Sequence, residues 1–409
     1  MGILRNVLGE VIKPVLVDVS NRFWSRSPIT LKVEYDGVTQ FNFKFKAPST
    51  STLNIYDGDG TMTPVAGQDD VLVTHTTIYA TVGTYYFYVE GDYVDLTSID
   101  IEDMSMVSGS MSGYGVLINL VSFIPTNTGI YGDIGVLSNC PNLVTVKGLR
   151  CNVTGDVSDL RYLENLLFFN IVSSSTLLFS SSEAWASSGF FGLRIQGNVS
   201  SSGVDNMIKA FKGLSGKKVA IAGNNPRTSD SFADIITMLG NGNSLAVTED
   251  EITPIDAELH TDANAASDPN DNEADATTGW SQTGLDVGAN EFVSQQLITA
   301  KGDNAFKTDV NDTPTSAAGI SKVFTVVAGD IMRSSFDWRH LGEGLGWGVS
   351  VDGNVMNSAI DYFEDEFFNI TCYSTSKTTS YTILIKEYNA LNTGGIYMDN
   401  FSFGKLTLS

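Results

Sequence analysis

Basic residues, histidine, cysteine and long apolar runs are all scarce in this chain of 409 residues. Against 47 Asp+Glu stand 24 Lys+Arg, a formal charge of −23, so the summed field repels phosphate backbones and no nucleic-acid partner is expected. Cys140, Cys151 and Cys372 are too few and too scattered for a disulfide framework, and no His/Cys spacing suits a metal. They read as buried thiols, with a Cys140–Cys151 bridge as the alternative. His75, His260 and His340 lie far apart with no GxSxG elbow, so no nucleophilic triad is legible and the chain is not expected to be an enzyme. Arg5, Glu10, Lys13 and Asp18 interrupt the N-terminal segment, which excludes a secretion signal and membrane insertion from the expectation.

What is present is β-rich. Only 17% of residues are charged while 42% are apolar, which leaves a polar, mostly uncharged surface over a substantial core. Within residues 1–26, Leu4, Leu8, Val11, Val15, Val19 and Phe23 follow helical spacing, with Pro14 as a kink. That stripe needs a partner, either this same protein or a neighbouring subunit for which it is the anchor. Between 27 and 93, ITLKVEY, FNFKFKA, TLNIYDG, VLVTH and TYYFYVEG alternate apolar and polar residues, the pattern of a small antiparallel sandwich.

An internal repeat occupies 94–249. Gly132-Asp133-Ile134 returns as Gly155-Asp156-Val157, and the same shift of 23 carries Leu137 to Leu160, Asn142-Leu143 to Asn165-Leu166 and Val146 to Phe169. Farther on the period is 26, through Leu193, Val219 and Leu245, with helical spacing in 204–214 and 231–240 between the strands. Such units cannot bury their apolar face singly; stacking makes the core, and the ends need covers. Residues 250–276 are acidic and contain Pro254 and Pro269, which reads as an interdomain linker, and strand patterns fill 277–409.

Three resemblances follow from these residues. The segment IYDGDGT with His75, Tyr79, Gly83, Thr84 and Tyr85 resembles the PKD-type immunoglobulin-like module, with Asp57 and Asp59 as calcium ligands or, more simply, acceptors within their own turn. The run SNCPNLVTVKGLRCNVTGDVSDLRYLENL resembles leucine-rich repeats, with an incomplete asparagine ladder through Asn152, Ser175, Asn198 and Asn224. Residues 277–409 resemble the carbohydrate-binding jelly rolls of glycoside hydrolases and phage virion proteins. The last resemblance implies a structural calcium near Asp399, with no other cofactor, and glycan stacking on aromatics, for which Trp338, Trp347, Tyr362 and Tyr373 are candidates unless they are core.

The expected fold class is therefore mostly β with some α: an N-terminal helix, an Ig-like sandwich, an irregular solenoid and a C-terminal jelly roll. The expected function is a structural and adhesive protein of a phage virion, assembled in the host cytoplasm. Residues 1–26 would meet capsid or tail proteins, and the concave solenoid face and the Trp338/Trp347 region would meet host-surface or mucosal glycans, in a chain that also suits a homo-oligomer. A purely structural head or tail component and a glycan depolymerase are the alternatives.

Overall fold

The computed structural model describes residues 27–190, 192–248, 257–262, 281–283, 293–298, 303–309, 319–341, 347–351, 354–358, 368–376, 378–387 and 395–406. The chain is mostly β-sheet with few helices and forms two compact units, Met1–Phe168 and Phe169–Ser409. The division falls inside the stretch expected as a single solenoid. The expected anchor stripe Leu4, Leu8, Val11, Val15, Val19 and Phe23 lies outside the described residues, as does Tyr362.

The first unit opens with strands β1 (Thr30–Tyr35), β2 (Phe41–Lys46), β3 (Thr52–Tyr56), β4 (Met62–Ala66), β5 (Val73–Thr77) and β6 (Gly83–Gly91). Alternation decides which side chains go inside: Leu31, Val33, Phe41, Phe43, Phe45, Leu53, Ile55, Phe87 and Val89 are all buried. The Phe87 ring lies 4.9 Å from that of Phe41 and 5.1 Å from that of Phe43, tying the two sheets together. One sheet has the order β4-β3-β6-β1, and β5 pairs with β2 in the other. β4, with Pro64 at its centre, pairs with β3 along one side and has no alternating burial, the character of an edge strand.

The stack begins with β7 (Ser98–Asp100), β8 (Val107–Ser110), β9 (Ser122–Ile124), β10 (Gly129–Asp133) and β11 (Thr145–Asp156). β7, β9 and the start of β11 form one parallel ladder, while β8, β10 and the end of β11 form another. The pairing Thr145↔Ser122 reproduces the 23-residue shift. Rows of Leu120, Leu143 and Leu166, and of Leu137 and Leu160, are fully buried. Single 3-10 turns close the coils, with Asp133 accepting from Gly135 N at 2.8 Å and Asp156 from Ser158 N at 2.9 Å. The sandwich covers the open end of the stack, because β1 pairs with β8 and β2 with β7.

In the second unit, β12 (Phe168–Ser173) and β13 (Leu177–Leu178) precede β14 (Gly192–Gln196), α1 (Ser201–Phe211), β15 (Lys218–Ala220), α2 (Phe232–Gly240) and β16 (Ser244–Val247). β14, β15 and β16 are parallel and pair Leu193 with Val219 and Val219 with Leu245. α1 starts at Ser200, whose hydroxyl accepts from Gly203 N, and buries Val204, Met207, Ile208 and Phe211. α2 buries Ile235, Met238 and Leu239, while Phe232 and Ile236 are half-buried.

Ten further strands and one early outlier build two antiparallel sheets: β17 (Ala257–Asp262), β18 (Ser281–Thr283), β19 (Val293–Ile298), β20 (Asp303–Asp309), β21 (Gly319–Thr325), β22 (Ile331–Leu341), β23 (Trp347–Val351), β24 (Asn354–Ser358), β25 (Phe368–Thr375), β26 (Ser380–Glu387) and β27 (Gly395–Leu406). One sheet runs β19-β20-β27-β22-β25, with β17 also on β27; the other runs β18-β21-β26-β23-β24. β17 lies within the expected linker 250–276, so that stretch is not wholly a spacer: its residues 257–262 are a strand of the terminal sandwich. The sandwich is also joined to the stack, because β25 pairs antiparallel with β16 through Leu245↔Tyr373, Ala246↔Cys372 and Val247↔Thr371.

Candidate binding face

Register sorts the residues of the first terminal sheet onto two faces. Gln295, Phe306, Met398, Trp338 and Phe368 stand in one row across β19, β20, β27, β22 and β25. A nearly unbroken apolar row of this kind is what a two-sheet sandwich closes on. The neighbouring rows belong to the opposite face, because side chains alternate along each strand. One of them reads Ser294, Lys307, Tyr397 and Arg339; two residues along the strands another reads Asp399, Asp337 and Asn369. Lys307 and Arg339 are thus the register partners of Tyr397 on the two neighbouring strands, and Asp337 is that of Asp399.

The sequence candidates fall in different places. Trp338 stands in the apolar row, in register with Phe368 and Met398. Trp347 pairs with Glu387 in the second sheet, and the two tryptophans do not share a sheet. Tyr373 has 0% exposure at the seam with β16 and offers no ring face to a ligand, which corrects its nomination. Asp399 sits directly across from Asp337 beside a register shift, and Asp262 pairs with Phe401, two residues along the same strand. Among the described residues no group of three or more His, Cys, Asp or Glu forms a metal-binding cluster.

The expected concave contact surface is closed in the second unit. Arg194, Gln196, Ala220, Ala222 and Ala246 are buried although Leu193, Ile195, Val219, Ile221 and Leu245 already fill the other side of these strands. β24 lies against β15 and β16, so the terminal sandwich shields the last strands of the stack.

At the other sandwich, the Asp57 turn serves itself. The Asp57 carboxylate meets His75 Nε2 at 2.8 Å and accepts from the hydroxyls of Thr77 and Thr61, while Asp59 accepts from Thr61 N at 2.8 Å. Burial alone raises the Asp57 carboxyl; hydrogen bonds from His75 and Thr77 and the His75 charge outweigh it and leave the group below its ordinary value. Asp59 is an acceptor within its own turn, whereas Asp57 ties that turn to β5 through His75 and Thr77. Cys140, Cys151 and Cys372 are buried thiols outside any disulfide, and desolvation lifts the first two to about 11 and the third to about 12. No helix among the described residues is long and apolar enough to cross a membrane.

Sequence nominated Asp399 from the closing strand but passed over Tyr397, two residues earlier, and it passed over Lys307, Arg339, Asp337 and Asn369. The signal was present as alternation: Phe336, Trp338 and His340 against Asp337 and Arg339, and Ile396 and Met398 against Tyr397 and Asp399.

No family model matches the chain, and no curated protein matches it. Among solved structures, the chain is similar to an arabinose-bound α-L-arabinofuranosidase at 15% identity and a TM-score of 0.30, covering 38% of this chain and 27% of that one. It therefore spans about a quarter of that enzyme's length. The CBM22-1 xylan-binding domain from Paenibacillus barcinonensis matches at 15% identity and a TM-score of 0.25, over 32% of this chain and 89% of that one. The enzymatically active domain of Bacteriophage CBA120 tailspike protein 4 matches at 13% identity and a TM-score of 0.27, over 69% of this chain and 37% of that one. No family assignment follows from these likenesses.

Proposed function

We propose that the chain is a glycan-binding protein of a phage virion, non-enzymatic, that attaches through residues 1–26 and binds host-surface glycans through the polar face of its terminal sandwich. One observation supports this reading: Tyr397 stands in register with Lys307 and Arg339 on its two neighbouring strands, next to a row that pairs Asp399 with Asp337 and Asp337 with Asn369. In this reading the front sandwich is PKD-like and the stack is leucine-rich-repeat-like, both serving as a stiff mount. Weak single contacts gain strength when many copies share one particle.

The test uses the full chain, since β25 completes the sheet of β16. On a broad polysaccharide array the protein binds, and Tyr397→Ala lowers that binding by about tenfold, the loss of one stacking platform. An array without a single binder defeats the proposal and favours a purely structural head or tail component. Release of reducing sugar from a bound polysaccharide reveals the depolymerase instead.

A further inference from the structure

The first sandwich leaves one strand edge open. Among the described residues β5 pairs on one side only, with β2, from Phe41↔Thr77 to Phe45↔Val73 without a register shift. Such an edge carries a row of backbone N–H and C=O groups without strand partners, which proteins ordinarily blunt with charge, proline or a bulge. β4 has Pro64 at its centre. β5 has none of these devices, and no Asp, Glu, Lys or Arg occurs anywhere in 71–89. Exposed apolar residues continue the strand at both ends, with Val71 at 53%, Leu72 at 40% and Ile78 at 63% exposure. We infer that β5 is an interface for a second copy of this chain, the two β5 strands pairing antiparallel about His75 and joining two sandwiches through one continuous sheet.

The occupant follows from the order of side chains along the edge. Because side chains alternate, Leu72, Thr74, Thr76 and Ile78 share one face, and all four are exposed. A two-fold pair centred on His75 sets Leu72 opposite Ile78 of the second copy and Thr74 opposite its Thr76. Each exposed apolar side chain then buries itself against another, and the threonine pairs between them are of a kind that stabilises sheets. Moving the centre to Thr74 sets Ile78 against Asp70, and moving it to Thr76 sets Leu72 against Ala80. About His75, the exposed Asp69 and Asp70 fall opposite Thr81 and Ala80 and meet no second acid. For two chains of charge −23, an uncharged contact is where approach is least opposed. His75, at the axis, is engaged by Asp57 of its own chain at 2.8 Å. This inference goes beyond the glycan reading and does not depend on it.

The experiment follows the mass of the full chain by size exclusion with light scattering over a concentration series, and twice the mass of one chain is expected at the upper end. Leu72→Lys with Ile78→Lys sets lysine against lysine at both symmetric pairs and is expected to weaken the dimer by about tenfold or more. Leu72→Lys with Ile78→Glu sets lysine against glutamate in the same register and is expected to bring dimerisation back to within about threefold of the unaltered chain. Far-ultraviolet circular dichroism and the melting temperature report whether each variant is folded. If one is not, Thr74→Lys with Thr76→Lys, and Thr74→Lys with Thr76→Glu, make the same comparison one pair inward. The mass of a single chain at every concentration overturns the inference, as does a dimer that the lysine pair leaves intact or that the lysine–glutamate pair fails to restore. A trimer or larger ring overturns it too, because a two-fold edge pair closes with two copies.

Discussion

Replacing Asn224 by alanine tests the stack to which the terminal sandwich is joined. The side chain is 7% exposed, and its amide spans two coils of the stack. Its Oδ1 accepts from Gly197 N at 2.8 Å and Val199 N at 3.2 Å, while its Nδ2 donates to Ile195 O at 2.8 Å and Ile221 O at 2.9 Å. Alanine removes all four bonds and leaves two backbone N–H and two C=O groups buried without that partner. At about 1 kcal/mol net for each bond, the cost is about 4 kcal/mol, and more if the backbone cannot relax to water. Asn224→Asp keeps the acceptor, loses both donors and buries a charge, so it is expected to be no better. Asn142→Ala is the control: that side chain is exposed and makes one bond of 3.3 Å to Ile118 O, worth at most about 0.5 kcal/mol at an exposed site. Urea unfolding followed by circular dichroism supplies both numbers. A loss below about 1 kcal/mol for Asn224→Ala, or an equal loss for the control, would refute the view that buried asparagines clamp the coils.

Gly155→Ala places a Cβ 1.9 Å from Asp133 Oδ1 at a φ of +94°, so a loss of about 2–3 kcal/mol is expected in the same assay, whereas Gly216→Ala, with open space around it, costs about 1 kcal/mol for its φ alone. Asp36 is held down to about 2 by the Thr39 amide and hydroxyl and the Val38 amide, and Asp57 is depressed as described. Both groups therefore add stability above the unfolded carboxylate value near 4, and lose it as the pH falls through their folded values. Asp36→Asn should lower the melting temperature at pH 7 and converge with the unaltered chain near pH 2; a constant offset would contradict this. Asp159 has the opposite sign, since burial and then the charges of Asp156 and Asp133 raise it. Asp159→Asn is accordingly expected to raise the melting temperature at pH 7 and to have no effect once Asp159 is protonated.

Local periodicity made much of this architecture readable. Period two in FNFKFKA and period 23 around Leu143 and Leu166 each reflect a burial demand that neighbouring residues share, so they survive as sequence pattern. The asparagines differ between the units: Asn224 clamps two coils of the second, whereas in the first the Nδ2 groups of Asn119, Asn142 and Asn165 donate to Val94 O, Ile118 O and Pro141 O and Asn152 lies on β11. Those asparagines preceded the repeating leucines and were visible. Trp185 was not legible, because it lies with Phe179 and Phe190 in a stretch without a period, although it packs at 5.3–6.2 Å against these and against Phe169 on β12 and Phe211 on α1. β17 was hidden by its acids: Glu258 and Asp262 suggested solvation, although a strand needs only register with β27.

The seam between β16 and β25 commits one of the candidate aromatics to packing. Tyr373 belongs to a strand that is interior twice over, once within its own sandwich beside β22 and once as the continuation of the stack beside β16. Arg333, its partner on β22, is likewise fully buried. Along the same pair of strands the register reaches Asp337 and Asn369, beyond the pairings made with β16. A large aromatic on a seam strand is therefore committed to packing, because both edges of its strand are paired and its ring has no exposure.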